Sequence, residues 1–441
     1  MPASAFDSAL YGKLFGDADI AKLFADSAEV RAMMIVEGAL ATAQAKHGVI
    51  PEVSATAIHR AAMELQIDPA GLADETGRSA VVVPALIKAF RSAMQAPDHA
   101  QYMHWGATSQ DIMDTGQILR LRQVVSIFET RLTALAKALG ALAQTHADLP
   151  MAARTYGQVA TPTTFGAVVA SWGSPLLRHL DRLAELKPRL LCVSLSGAAG
   201  TASMLGDDPA AIRASFAEGL GLSDPGESWH SARDRIAEFA GWMTLVTGTL
   251  GKLGDDLVLM TQTGMNEITL PTAGGSSTMP QKQNPVVPSL LGALSRHVAA
   301  LNTEIQLAQG HHQQRDGAAW LTEWLALPQL CQATGRALAA AAELAEGMSP
   351  NPDNMARAID DGTGLIYAEA LSFALTTEMP RPDAQAAVKD LCKKVTATGT
   401  PLSELALTRW PGLPADLFTA AANLGTAPGE ARNFAIRCLE I

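Results

Sequence analysis

Three stretches of the chain space apolar residues alternately three and four positions apart, and this pattern most limits how the sequence can fold. The stripes occupy residues 118–142, 236–260 and 291–305. The first stripe consists of Ile118, Leu121, Val125, Phe128, Leu132, Leu135, Leu139 and Leu142. Such stripes predict long helices that pack side by side at shallow angles in a bundle. With 48% apolar but only 5% aromatic residues, the composition suits closely approaching helices.

The length of these helices has a consequence for assembly. Helices near 118–145 and 236–262 would each approach about 40 Å, at about 1.5 Å per residue. One subunit can hardly cover helices of that length, so a homo-oligomeric bundle is expected. A fourth long helix is predicted from Thr164 to Leu186, and the clearest helix of the N-terminal part from Ser27 to His47.

A chain of 441 residues exceeds a single compact core, so several domains are expected. We predict an all-α protein with an N-terminal helical domain at 1–105, a central long-helix bundle at 106–349 and a C-terminal helical domain at 350–441. Strand signals are sparse. The run Pro350-Asn351-Pro352-Asp353 indicates the second boundary, since prolines interrupt helices.

Charge and cysteine content exclude several kinds of partner. The formal net charge is −11 with no block of lysines or arginines, which disfavours nucleic acid and anionic membranes. The N-terminus has no signal-like segment, and no apolar stretch reaches about 18 residues, so a cytoplasmic location is expected. Four cysteines lie far apart in the chain and match no metal-binding spacing, so free thiols are expected and neither metal nor cofactor is implied.

The second and third stripes are separated by a segment without helical pattern, which we define as the signature loop, residues 271–286. Loops this long inside a helical bundle are usually functional. Its core reads Gly-Gly-Ser-Ser-Thr-Met-Pro-Gln-Lys-Gln-Asn-Pro, from Gly274 to Pro285. This run resembles the signature Gly-Ser-Ser-x-Met-Pro-x-Lys-x-Asn-Pro of the fumarase/aspartase superfamily, and every specified position is present.

The resemblance implies a role for the polar residues of this loop. Ser276 would be the proton carrier, assisted by the positive charge of Lys282. The substrate contacts implied in this loop are Ser277, Met279 and Asn284. A hydroxyl, a cation and an amide on one loop suit a substrate rich in carboxylates.

A second segment, His-Trp-Gly-Ala-Thr-Ser-Gln-Asp at 104–111, precedes the first stripe. It resembles another superfamily region, in the form most similar to bacterial 3-carboxy-cis,cis-muconate cycloisomerases. Thr108 and Ser109 would bind substrate carboxylates at a helix N-terminus. His104 is a second candidate for proton transfer, with a core or capping role left open. Arg315 begins a stretch similar to a Trp-x-x-Glu-Trp motif of these enzymes and would grip a carboxylate.

A third segment, Arg-Thr-Tyr-Gly-Gln at 154–158, departs from its relatives in an informative way. Superfamily lyases that cleave carbon–nitrogen bonds carry Thr-His-x-Gln here, and the histidine protonates the leaving amine. This chain has Tyr156 at the histidine position. A carboxylate, with a pKa near about 4, leaves without protonation, so a cycloisomerase needs no such acid. Thr155 and Gln158 would bind carboxylates, and Tyr156 would either orient one or pack against the bundle.

These resemblances imply a cofactor-free homotetramer whose active sites each combine three subunits. The expected reaction is the cycloisomerisation of 3-carboxy-cis,cis-muconate. The alternative is a lyase that releases fumarate from an N- or O-substituted succinate, and a third possibility is a catalytically silent structural protein. The intact loop argues against the silent protein. Other departures from the relatives are Gln281, Gln283, Gly264 and Gln385, while Arg78 is expected to be a solvated surface charge.

Overall fold

The computed structural model describes residues 4–272, 274–275 and 278–441. Most of these residues are helical. The first α-helices are α1 (Gly12–Phe15), α2 (Ala18–Leu23), α3 (Asp26–Lys46), α4 (Glu52–Glu64), α5 (Ala73–Ser79), α6 (Val83–Met94) and α7 (Pro97–Ala100). The long helices are α8 (Ser109–Thr145), α9 (Phe165–Leu190), α11 (Asp234–Met260), α12 (Val286–Leu307) and α13 (Gly317–Gly347), with the shorter α10 (Pro209–Leu220) between them. The C-terminal helices are α14 (Pro352–Ile359), α15 (Ala368–Ala374), α16 (Arg381–Thr398), α17 (Leu402–Arg409) and α18 (Ala427–Leu439).

Short strands and 3-10 turns complete the fold. The strands are β1 (Pro150–Thr155), β2 (Gln158–Thr164), β3 (Ile268–Thr269), β4 (Gly274–Gly275), β5 (Gln283–Asn284) and β6 (Ser349–Pro350). They pair antiparallel as β1 with β2, β3 with β6 and β4 with β5. The 3-10 turns are Pro69–Leu72, Leu365–Tyr367, Leu375–Thr377, Ala415–Phe418 and Ala421–Asn423.

The apolar stripes are the buried faces of long helices, as predicted. The residues of the first stripe from Ile118 to Leu139 are at most 1% exposed, and Leu142 at its end is half-buried. Helix α8 begins at Ser109, before the first residue of the stripe, Ile118. The predicted helices at Ser27–His47 and Thr164–Leu186 correspond to α3 and α9. The prediction of a mainly helical fold is confirmed.

The chain forms two compact units. Unit 1 comprises Met1–Thr130, His179–Gly248 and Leu294–Leu338. Its N-terminal core packs α3 against α4 and α10, and the core includes Met33, Leu40, Ile58, Phe90 and Phe216. Unit 2 comprises Arg131–Arg178, Thr249–Ala293 and Ala339–Ile441. Its C-terminal helices share a core that includes Leu371, Leu375, Val388, Leu391 and Leu402. The three-domain division stays a prediction.

The β1–β2 hairpin in unit 2 was not predicted by the sequence pattern. Its register pairs Pro150 with Thr164 and Thr155 with Gln158, with an irregularity near Ala152. Two local features explain why the sequence pattern does not indicate a hairpin here. Pro162 removes a backbone donor inside β2, and a tyrosine occupies a turn position that favours asparagine or glycine.

All four cysteines are free, as expected: Cys192, Cys331 and Cys438 are buried and Cys392 is partly exposed. Within the described part of the chain, no helix combines the length and apolar character that crossing a membrane requires.

Candidate active site

The signature loop folds back on itself as a small flap. Strands β4 and β5 close its base, with Gly274 opposite Asn284. Within the flap the backbone N–H of Lys282 donates to the carbonyl of Met279 at 3.0 Å. Ser276 and Ser277 lie outside the described residues, so their predicted roles stay predictions.

A cavity of about 840 Å³ lies against this flap within unit 2. Met279, Lys282 and Asn284 all line it, together with Asn266 and Asn351. Among the described lining residues, the Lys282 ammonium is the single ionisable group, and the other polar groups are amides and hydroxyls. One cation surrounded by neutral hydrogen-bonding groups suits an anionic ligand such as a carboxylate. Three of the residues predicted from the loop therefore share one cavity.

The residues predicted from the third segment sit at the tip of the β1–β2 hairpin. Thr155 and Gln158 face each other across a two-residue turn. The turn residues Tyr156 and Gly157 have φ of 52° and 73°, the left-handed pair of a tight hairpin. Tyr156 is fully exposed in the protomer, at 104%. Tyr156 therefore does not pack against the helices of its own protomer, and both of its predicted roles stay predictions.

A bidentate ion pair ties this hairpin to the root of the signature loop. The Arg154 guanidinium donates to both oxygens of Glu267, at 2.8 and 3.0 Å. Glu267 is buried, and its carbonyl accepts the backbone N–H of Asn351 at 2.8 Å. Paired Arg–carboxylate contacts of this geometry fix orientation as well as distance. Arg154, the residue before Thr155, thereby fixes the segment that leads into the signature loop.

In unit 1, His104 is held by a buried carboxylate from α3. Its Nδ1 lies 2.6 Å from Oε1 of Glu37, which is 1% exposed. The histidine has φ of 63°, a left-handed conformation that non-glycine residues rarely adopt and that is often found at functional sites. Burial alone would lower the pKa of His104. Attraction and hydrogen bonding from Glu37, with attraction from Asp111, outweigh burial and the opposing charge of Arg91, so the pKa is raised above 6.5.

We expect Glu37→Gln to lower the pKa of His104, because the amide removes the negative charge beside the ring. Since the folded-state pKa is raised, the wild-type pair contributes stability that is fully present below pH 6.5 and is lost as pH rises through the folded pKa. The stability difference between wild type and variant, from urea unfolding, should shrink as pH rises above 6.5. The matched control Glu64→Gln removes an exposed carboxylate paired with Arg60 and should show no such trend. A pH-independent difference for Glu37→Gln would contradict this assignment.

The N-terminus of α8 is organised by Asp111, a fully buried carboxylate. It accepts backbone N–H groups of Thr108 at 3.0 Å, Ser196 at 2.8 Å and Gly197 at 2.9 Å. It also contacts Nε2 of His230 at 2.8 Å. The Thr108 amide is therefore already occupied, and a substrate carboxylate would meet the Thr108 hydroxyl instead. His230 is thus a buried supporting residue of Asp111.

Arg315 is positioned by Gln110, the residue that follows Ser109. Its Nε donates to Oε1 of Gln110 at 2.7 Å, and Nε2 of Gln110 donates to the carbonyl of His230 at 2.9 Å. The Nη2 atom of Arg315 is buried and has no partner among the described residues. An unpaired guanidinium nitrogen can donate a hydrogen bond to a carboxylate, and this role of Arg315 stays a prediction.

The structure gathers the predicted residues into two groups, one in each unit. The unit 2 group holds Met279, Lys282 and Asn284 around one cavity and Thr155, Tyr156 and Gln158 at one hairpin tip. The unit 1 group holds His104, Thr108, Ser109 and Arg315 around the start of α8.

Several supporting residues were not predicted, among them Asp111 and Glu37. Asp111 lies inside the quoted motif, where its place in the first turn of a helix could have indicated its role. Glu37 could have been found as an acid surrounded by apolar and small residues of α3, since a buried carboxylate requires a partner.

Comparison with known proteins identifies the family of this chain. The lyase family matches residues 14–300. The 3-carboxy-cis,cis-muconate cycloisomerase of Acinetobacter baylyi is 38% identical over 405 residues, 90% of this chain and 90% of that protein. The crystal structure of a fumarate lyase from Mesorhizobium sp. BNC1 matches with a TM-score of 0.90 and 35% identity, covering 96% of this chain and 99% of that one.

A second solved structure, beta-carboxy-cis,cis-muconate cycloisomerase from Acinetobacter calcoaceticus sp. ADP1, also matches with a TM-score of 0.90. It is 33% identical and covers 97% of this chain and 100% of that one. The chain therefore belongs to the lyase family of the fumarase/aspartase superfamily.

Proposed function

We propose that this protein is a 3-carboxy-cis,cis-muconate cycloisomerase of aromatic-acid catabolism. Relatives with that activity share 36–38% identity over 86–90% of the chain. One carboxylate oxygen of the substrate adds to a carbon of the conjugated double bond. The displaced electron pair becomes an enediolate on another carboxylate, and a proton then enters the carbon next to it. No atom is gained or lost overall.

The candidate residues have distinct roles in this step. Ser276 carries the proton, and Lys282 and Asn284 stabilise the enediolate, where negative charge accumulates. The unit 1 group binds carboxylates through Ser109 and Arg315. His104, held at Nδ1 by Glu37, is the second candidate for proton transfer.

The observation that carries this proposal is Tyr156 at the hairpin tip. A lyase that expels an amine needs an acid there to protonate a basic leaving group, and imidazole suits that task. A phenol, with an ordinary pKa near about 10, is a weak acid for it but can donate a hydrogen bond to a carboxylate. The exposed hydroxyl of Tyr156 therefore favours a reaction in which a carboxylate adds or leaves.

The test compares substrates directly. Purified protein is assayed by absorbance with 3-carboxy-cis,cis-muconate and, in parallel, with argininosuccinate and adenylosuccinate. We expect turnover of the muconate alone. Turnover confined to a substituted succinate would overturn the proposal in favour of a fumarate-releasing lyase, which the likeness to a fumarate lyase keeps as the second candidate.

A variant of the hairpin tip sharpens this distinction. We expect Tyr156→His to lower cycloisomerase turnover and to create no lyase activity, because the histidine changes the carboxylate contact without supplying a needed acid. Rates with both substrate classes are measured for wild type and variant. Phe at the same position is the matched control, since it keeps the ring and removes only the hydroxyl. A gain of lyase activity in the histidine variant would count against the cycloisomerase.

We include in the proposal a cytoplasmic homotetramer with three domains per subunit and active sites completed by neighbouring subunits. Exposed leucines on the long helices support an assembly: Leu245 and Leu259 are 50% and 53% exposed, and Leu307 and Leu325 are 75% and 70% exposed. Apolar surface of this kind is usually covered by a partner. Sedimentation velocity would report the mass of the assembly.

A further inference from the structure

A second cavity, of about 450 Å³, lies in unit 1 beside His104. Helix α6 supplies Lys88 and Arg91, and Ser109 at the start of α8 supplies a hydroxyl. Val83, Pro84 and Ile87 complete the lining. None of the described lining residues is acidic. The cavity therefore presents three basic side chains and one hydroxyl on an apolar wall.

The two cations of α6 have different tasks. Arg91 is held in place, because its Nε and Nη2 donate to the carbonyls of Ala100 at 3.1 Å and Met103 at 3.0 Å. Lys88, one turn earlier on the same helix face, is exposed. Among the residues that the structure describes, neither cation has an ion-pair partner. Lys88 is thus free to pair with an incoming anion.

Two of the groups around the cavity already have a counter-charge. His104 has a pKa raised by Glu37, and the same carboxylate balances the charge of its imidazolium. The N-terminal end of α8 carries partial positive charge, and the buried carboxylate of Asp111 lies in its first turn. Lys88 and Arg91 are the cations of the cavity wall without such a partner among the described residues, and cations that converge in this way are the usual environment of a bound anion.

We propose that this cavity binds one carboxylate of the substrate and that Lys88 is its charge partner. The inference rests on the proposed function, because it assigns a place to one carboxylate of a polycarboxylate.

The kinetic test replaces Lys88 with methionine, which keeps the length of the side chain and removes its charge. Lys88→Met should raise KM for 3-carboxy-cis,cis-muconate by ~10- to 100-fold, the range expected for loss of a charge-assisted hydrogen bond, with a smaller change in kcat. Lys88→Arg should restore KM to within about threefold of wild type. Lys46→Met, which removes an exposed lysine paired with Glu218 on the surface, is the matched control and should not change KM. An unchanged KM in Lys88→Met would overturn the proposal.

A binding measurement separates this inference from the proposed function. Tricarballylate, a stable tricarboxylate, and succinate, a dicarboxylate, are titrated into wild type and Lys88→Met by calorimetry. We expect Lys88→Met to weaken tricarballylate binding by at least ~10-fold and to affect succinate less. If the wild-type protein does not turn over the muconate, the proposed function is overturned. The calorimetry still shows in that case whether Lys88 contributes to binding of a carboxylate. Equal affinity of both proteins for tricarballylate would overturn the inference even if the enzyme is an active cycloisomerase.

Discussion

Ser276→Ala is expected to lower kcat for 3-carboxy-cis,cis-muconate by at least ~10²-fold. In the elimination direction the reaction removes a proton from the carbon beside a carboxylate, and alanine has no group that can carry it. In the proposed mechanism Lys282, which lines the cavity at the flap, provides the positive charge that stabilises an ionised serine. Initial rates measured by absorbance give the size of the loss.

The control for this variant is Ser289→Ala, the same substitution at a serine 13 positions later in the chain. Ser289 lies on α12, and its hydroxyl donates to the carbonyl of Pro285 at 2.8 Å. Ser289→Ala should therefore leave turnover nearly unchanged. A second readout is exchange of the α-proton of the lactone with D₂O, which Ser276→Ala should abolish. Near-wild-type turnover and exchange in Ser276→Ala would remove this serine from the mechanism.

Arg233→Met is expected to destabilise unit 1 by roughly 3–5 kcal/mol, the usual cost of breaking a buried ion pair. Arg233 is 2% exposed and lies between Asp114 and Glu323, with four N–O distances of 2.6–3.1 Å. Its guanidinium also lies over the ring of Trp229, 4.7 Å from the centroid. Removing it would leave two carboxylates buried without a counter-charge. Urea unfolding at neutral pH measures the loss.

Two further variants test the cause of this effect. Arg189→Met breaks an exposed pair with Glu238 and should barely change the unfolding midpoint, because solvent screens such pairs. Arg233→Met combined with Asp114→Leu and Glu323→Met removes all three charges and should recover much of the stability. Burial raises the pKa of Glu323 despite the neighbouring guanidinium, so the loss in Arg233→Met should also shrink at acidic pH. A small loss in Arg233→Met, or no recovery in the triple variant, would contradict this account.

The sequence predicted those parts of the molecule whose signal is local. The stripes at 118–142 and 236–260 predicted α8 and α11, because a buried helix face repeats every 3.6 residues whatever surrounds it. The loop motif likewise indicated Met279, Lys282 and Asn284, which share one cavity. The hairpin around Tyr156 was missed, because a tyrosine with positive φ gives no sequence signal for a turn.

The buried ion pairs that support the site could not be predicted from the sequence for a different reason. Glu37 and His104 are 67 positions apart, Arg154 and Glu267 are 113 apart, and Arg233 and Asp114 are 119 apart. No periodicity or spacing rule joins residues at such distances in a single chain. Each of these pairs forms only when helices and loops far apart in sequence pack together.

By itself the sequence determined the helical architecture, the superfamily and the candidate groups of the site, since these depend on short-range pattern and on residue identity. Only the tertiary structure decided which charges are neutralised and which remain free for a ligand. The carboxylate of Asp111 accepts the backbone N–H of Thr108, and the carboxylate of Glu37 pairs with His104. Lys88 has no ion-pair partner among the described residues. Burial and pairing are properties of the packed chain, and they determine where an anion can bind.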